Sequence, residues 1–160
     1  MGVARTRAAK LPGVLLRSWR LVPQLSRTDR RELAIVTVLS LASEVGLRWL
    51  PLPRLAHLFG LAFDRPATAF DDIADRAQLP EWALRRLRIV AIVMRRWPVD
   101  GECLRQSLVA GHRLRRLQPQ LCIGVARVDR KFVAHAWLEI QGRSLDPSSN
   151  RYSVLPLSME

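Results

Sequence analysis

Hydrophobic positions along this chain follow two periods, helical in the first two thirds and alternating in the last third. The first long apolar stretch runs from Leu33 to Leu50. Ser26 or Thr28 can cap a helix in front of it, and Asp29 and Glu32 place negative charge where the helix dipole favours it. Pro51 and Pro53 end it. The stretch is nearly long enough for a bilayer. Glu44 and Arg48 interrupt it at a depth where charge is costly. The pattern therefore predicts a helix buried in a helical subdomain or against a partner, with membrane contact the less favoured reading. A short helical piece over 52–61 and a loop around Asp64, Arg65 and Pro66 follow. Pro80 suits the first turn of a helix bearing Trp82, Leu84, Leu87, Ile89, Val90, Ile92, Val93 and Trp97, with arginines on the other face. Pro98 and Gly101 break that helix. The next runs from Cys103 to about Leu117, with Leu104, Leu108, Gly111 and Leu114 as its buried stripe. Gln118 and Pro119 end the helical part. Strands are expected over 121–128, 132–140, 143–146 and 152–155. The fold class is α+β, with residues 1–62 a helical N-terminal region and 63–160 a catalytic domain joining helices to a small antiparallel sheet.

Composition narrows the function. A length of 160 residues allows one domain with an extension and a real core. The net charge of +12 suggests nucleic acid. The basic residues other than Lys10 and Lys131 are arginines scattered along helices, and no zinc-finger or RNA-binding signature accompanies them. No nucleic-acid partner is expected; an acidic peptide or protein fits better. The two cysteines, Cys103 and Cys122, have no metal-like spacing, and the basic start around Arg5, Arg7 and Lys10 leads into no signal-like apolar run. A reducing cytoplasm is the expected compartment. Asp71, Asp72 and Asp75 lack the glycine and terminal glutamate of a calcium loop and read as a solvated helix start. Neither metal nor cofactor is expected.

The candidate chemistry lies in three residues. Cys103 follows a Pro/Gly break and opens a helix, where free backbone N–H groups favour a thiolate and can hold an oxyanion. Strand alternation puts Phe132, Ala134, Ala136, Leu138 and Ile140 on a core face and Val133, His135, Trp137 and Glu139 on the other. Gln141 and Gly142 suit a two-residue hairpin loop. Pairing then runs Ile140 with Arg143, Glu139 with Ser144, Leu138 with Leu145 and Trp137 with Asp146. Asp146 becomes a diagonal neighbour of His135 on the same face. A slip of one residue would move it to the wrong face. Cys103 would be the nucleophile, His135 the base and Asp146 the group that orients the imidazole. Glu139 is the rival carboxylate. His112 and His57 read as surface or packing residues, Cys122 as core, and Trp97 and Trp137 as packing or cleft-lining residues.

At these residues the chain resembles a known family. Glu102-Cys103-Leu104-x-x-Ser107-Leu108, then Ile123-Gly124-Val125, then Ala134-His135-Ala136-Trp137-Leu138-Glu139, then Gly142-Arg143 and Asp146 are similar to the transglutaminase-like leader peptidase of lasso-peptide biosynthesis. The likeness covers roughly residues 80–157. It implies a papain-like, transglutaminase-core fold and cleavage of a ribosomally made precursor at the leader–core junction by Cys103, His135 and Asp146. A separate ATP-dependent macrolactam cyclase would then close the ring. Some members carry a fused winged-helix leader-recognition domain. The helical, arginine-rich start of this chain has no strands to build one, which implies a separate recognition protein as partner. Two alternatives are a transglutaminase-core acyltransferase, passing the acyl group to an amine, and a non-catalytic peptide-binding protein of the same fold.

Overall fold

The computed structural model describes residues 26–63, 79–98, 102–128 and 131–155. The basic start before Ser26, the loop at Asp64 to Pro66, the acidic cluster Asp71, Asp72 and Asp75, and Gly101 lie outside the described residues. Helix α1 spans Arg27–Trp49 and α2 Leu52–Leu58. Helix α3 spans Glu81–Met94 and α4 Glu102–Leu114, which tightens into a 3-10 turn over Arg115–Leu117. The strands are β1 (Gln120–Val128), β2 (Lys131–Ile140), β3 (Arg143–Ser144) and β4 (Ser153–Val154). The architecture is α+β, as the change of period predicts.

Local chemistry explains the element ends. Ser26 caps α1, its hydroxyl accepting from the Asp29 N–H at 3.1 Å. Pro51 and Pro80 sit just before α2 and α3, where a missing N–H costs nothing. Gln118 ends the 3-10 turn in the left-handed region at φ 50°.

The sheet is antiparallel in the order β3-β2-β1-β4. Its hairpin turn has Gln141 at φ 53° and Gly142 at φ 76°, the paired positive angles that match strand twist. Ile140 pairs with Arg143 and Glu139 with Ser144, as derived above. The ladder then stops two residues short of the expected strand end. The Leu145 N–H still donates to the Leu138 carbonyl at 2.9 Å, but Asp146 turns away. Pro147 cannot donate to a ladder, and the serines around it offer local bonds instead.

One core joins helices and sheet. Val36, Leu55, Met94, Leu108, Leu121, Ala136 and Leu138 belong to a single buried cluster. Ile140 packs beside it with Ala83 and Leu114. Both faces of β2 are covered toward its end: Trp137 is 1 % exposed and Glu139 2 %, although they lie opposite the main core. Three acidic residues of α1 tie it to the arginines of later helices. Asp29 meets Arg85 on α3 at 2.7 Å, Glu32 meets Arg113 on α4 at 2.6 Å, and Glu44 meets the buried Arg105 on α4. These arginines are thus part of the packing. Among the described residues no helix is long and apolar enough to cross a membrane.

Helix α1 departs from the expectation of simple burial. Its inward face is Val36, Ser40, Ser43 and Gly46, whereas Val38, Leu41, Val45 and Trp49 are exposed. Gly46 explains the close approach, because a Cβ there would lie 2.4 Å from Leu55 Cδ1. The two serines satisfy their hydroxyls on carbonyls of α1 itself, Ser40 on Val36 and Ser43 on Ser40.

Candidate active site

Cys103 is the second residue of α4 and is partly accessible. One helical turn later, Ser107 donates its hydroxyl to the Ala136 carbonyl of β2 at 3.1 Å. Ala136 follows His135. A single buried hydrogen bond therefore pins the thiol-bearing face of α4 to the imidazole-bearing stretch of β2.

His135 and Asp146 are in direct contact, Nε2 to Oδ2 at 2.5 Å. With Nε2 turned to the carboxylate, Nδ1 is the nitrogen that can serve as a base. Asp146 is held from several sides. The Ser148 N–H and hydroxyl each donate to Oδ1 at 2.8 Å. Ser144 accepts from the Asp146 N–H at 3.0 Å, and Ser149 donates to the Asp146 carbonyl at 2.8 Å. Burial would raise the Asp146 pKa. The bonds from Ser148 and His135 outweigh it and hold the carboxyl below its ordinary range. The group is a carboxylate at neutral pH.

Aromatic rings fix the imidazole from the side. Tyr152 stacks on His135 with centroids 4.8 Å apart, and Trp137 lies 6.1 Å away at 21°. Gly124, opposite His135 on β1, makes room for this arrangement. A Cβ there would lie 2.8 Å from the Trp137 ring and 2.9 Å from the Ser153 carbonyl.

The cleft that joins these groups has a volume of about 540 Å³. Cys103, Gln106 and Ser107 line it from α4, His135 and Ala136 from β2, and Asp146 from the turn. Leu87, Ala91, Ala110, Leu138 and Leu145 give it an apolar wall. A thiol, an imidazole and a carboxylate in one such crevice can carry out nucleophilic acyl chemistry.

Of the remaining sequence candidates, Trp137 alone lines the cleft. Glu139, the rival carboxylate, accepts from the Trp137 indole N–H at 3.2 Å and is buried. Cys122 is buried opposite Trp137, and burial, with the Glu139 carboxylate beside it, pushes its thiol pKa far up. His112 packs edge-on against Phe59 and contacts its carbonyl at 3.2 Å, while His57 is exposed. Trp97 donates to Glu44 at 3.2 Å, and Trp137 lines the cleft. The sequence reading missed Ser107, Ser144, Ser148, Ser149 and Tyr152. Asp-Pro-Ser-Ser is turn composition in which hydroxyls cap backbone and carboxylate, and that was the available signal for the serines. Tyr152 carried none, because its stacking depends on β4 folding back beside β1.

A family model described as the transglutaminase-like superfamily matches residues 46–158. No curated protein and no solved structure matches the chain.

Proposed function

Because the chain belongs to the transglutaminase-like superfamily, we propose that it is a cysteine peptidase that removes the leader from a ribosomally made lasso-peptide precursor. Cys103 is the nucleophile, His135 the base and Asp146 the third member. The observation that carries this reading is the 2.5 Å contact between His135 and Asp146 in the cleft that Cys103 also lines.

The Cys103 sulfur attacks the scissile carbonyl carbon while His135 Nδ1 takes the thiol proton. Asp146 balances the imidazolium charge and keeps the ring in register. The oxyanion draws on N–H groups at the start of α4. The tetrahedral species collapses to a thioester, and the departing amine takes the proton from His135. A water deprotonated by His135 then attacks the thioester, releasing the leader's carboxylate and restoring the thiol. The freed core amine is the group a separate ATP-dependent macrolactam cyclase would use.

The leader is read by a separate winged-helix protein, and the work is done in the cytoplasm. The exposed apolar stripe of α1 supports such a partner, since contiguous apolar surface marks contact sites. The test is to incubate the purified chain, with and without such a recognition protein, with a lasso-type precursor peptide. Mass spectrometry should find leader acid and free core amine only when Cys103 is present. Leader joined to an added amine would assign acyl transfer instead, and an unchanged precursor would overturn the peptidase reading.

A further inference from the structure

Among the described residues, the outer edge of β2 is open beside the cleft. On its inner side β2 pairs with β1 without interruption from Lys131 to Glu139. On its outer side, among the described residues, β3 pairs only with Glu139 and Ile140. Main-chain direction alternates along an antiparallel strand. The Leu138 carbonyl accepts from Leu145, and the Ala136 carbonyl accepts from Ser107, both away from β1. The N–H and C=O groups of Phe132 and Ala134 therefore point to the same outer side. Residues 131–134 are exposed, and Phe132 is 78 % exposed.

This edge lacks the usual protections. Unused edges are blunted by proline, bulges or charge. The Lys131-Phe132-Val133-Ala134 run has neither proline nor bulge, and its one charge is at the end. The cleft also borders this strand. It is lined by Ala136 and Leu138 from one face of β2 and by His135 and Trp137 from the other.

We propose that the edge of β2 from Phe132 to Ala136 is a docking strand for an extended peptide, which pairs with the outward groups of Phe132 and Ala134 and so lays its backbone across the thiol of Cys103. This rests on the peptidase reading and adds to it the binding mode: main-chain pairing, with side-chain preference confined to alternate positions. Phe132 offers an apolar surface at the far end of that strand.

The probe is a set of acetyl-tetrapeptide chloromethyl ketones with mixed side chains, in which the Cys103 thiolate displaces chloride and no hydrolysis is required. Alkylation of Cys103 in the full chain is read by mass spectrometry, with iodoacetamide as the reagent that has no backbone. Ala134→Pro removes one outward N–H and leaves the bonds to β1 in place. It should slow the peptidyl reagents about tenfold, the loss expected for one main-chain bond, and leave iodoacetamide within about twofold. On the unaltered chain, single N-methylation of the probe should slow alkylation at every second amide. Equal rates for all N-methylated probes would overturn the proposal even if Ala134→Pro fails to fold. Peptidyl reagents no faster than iodoacetamide would overturn it too. An Ala134→Pro chain that changes from dimer to monomer by light scattering would assign the edge to a second copy and overturn it. Failure of the catalytic reading looks different: iodoacetamide labelling of Cys103 that is indifferent to His135→Ala, whatever the N-methyl pattern.

Discussion

Helices α1 and α4 are both rich in apolar residues, yet they use them in opposite ways. In α4 the large side chains go inward, with Leu108, Val109 and Leu114 buried. In α1 the inward face is Val36, Ser40, Ser43 and Gly46, and the large residues Val38, Leu41, Val45 and Trp49 face out. Hydropathy alone would rank α1 as the more deeply buried helix. What decides is closeness of approach: Gly46 admits Leu55, and serines that bond their own helix can sit against a neighbour without an unmet hydroxyl. The α4 helix has a second duty. Its buried face carries Ser107, which sets Cys103 against β2.

The sharpest way to break this contrast is through chemistry. Cys103→Ala on α4 should lower precursor cleavage by about 10⁴-fold or more with an unchanged melting temperature. Comparable residual turnover would remove the mechanism. On stability, Leu108→Ala should cost roughly 2–5 kcal/mol in a denaturant titration, because it empties a fully buried site. Glu44 is the point where α1 does matter to α4, since it holds the buried Arg105 and the Trp97 indole. Glu44→Gln should cost about 3 kcal/mol by removing the carboxylate charge that faces the buried guanidinium. A stable Glu44→Gln chain would mean that the pair contributes little.

Acid should act next. The folded pKa of Asp146 lies below the ordinary carboxylate value. Its contribution is therefore present above about pH 4 and is lost as pH falls through the folded value. Asp146→Asn should be less stable than the unaltered chain at pH 7, with the gap closing toward pH 2 in thermal melts. A gap independent of pH would contradict the charge assignment. The smallest effect belongs to the α1 stripe, where Leu41→Ala should change stability by less than about 0.5 kcal/mol. A loss as large as that of Leu108→Ala would mean that α1 is covered in the folded chain.

Most element boundaries were legible in the sequence because they rest on local chemistry: Ser26 as a cap, the prolines as stops, Gln141 and Gly142 as a turn. The β2–β3 register was also legible, since loop length and turn type fix it. Two features were not. The inward face of α1 could not be read, because a small-residue face shows its value only once a neighbour approaches. Asp146 was expected on a strand and reaches His135 from a turn instead, through bonds with Ser144, Ser148 and Ser149 that compete with the ladder. The pair of residues was foreseen; the route of the chain between them was not.

The central claim is that Cys103 draws its reactivity from His135. Iodoacetamide labelling at about pH 6, where an ordinary thiol is barely ionised, tests it with the unaltered chain beside His135→Ala. Cys103 should be labelled and the buried Cys122 should not, and the Cys103 rate should fall about tenfold or more in His135→Ala. Labelling of Cys103 at the same rate in both chains would contradict it.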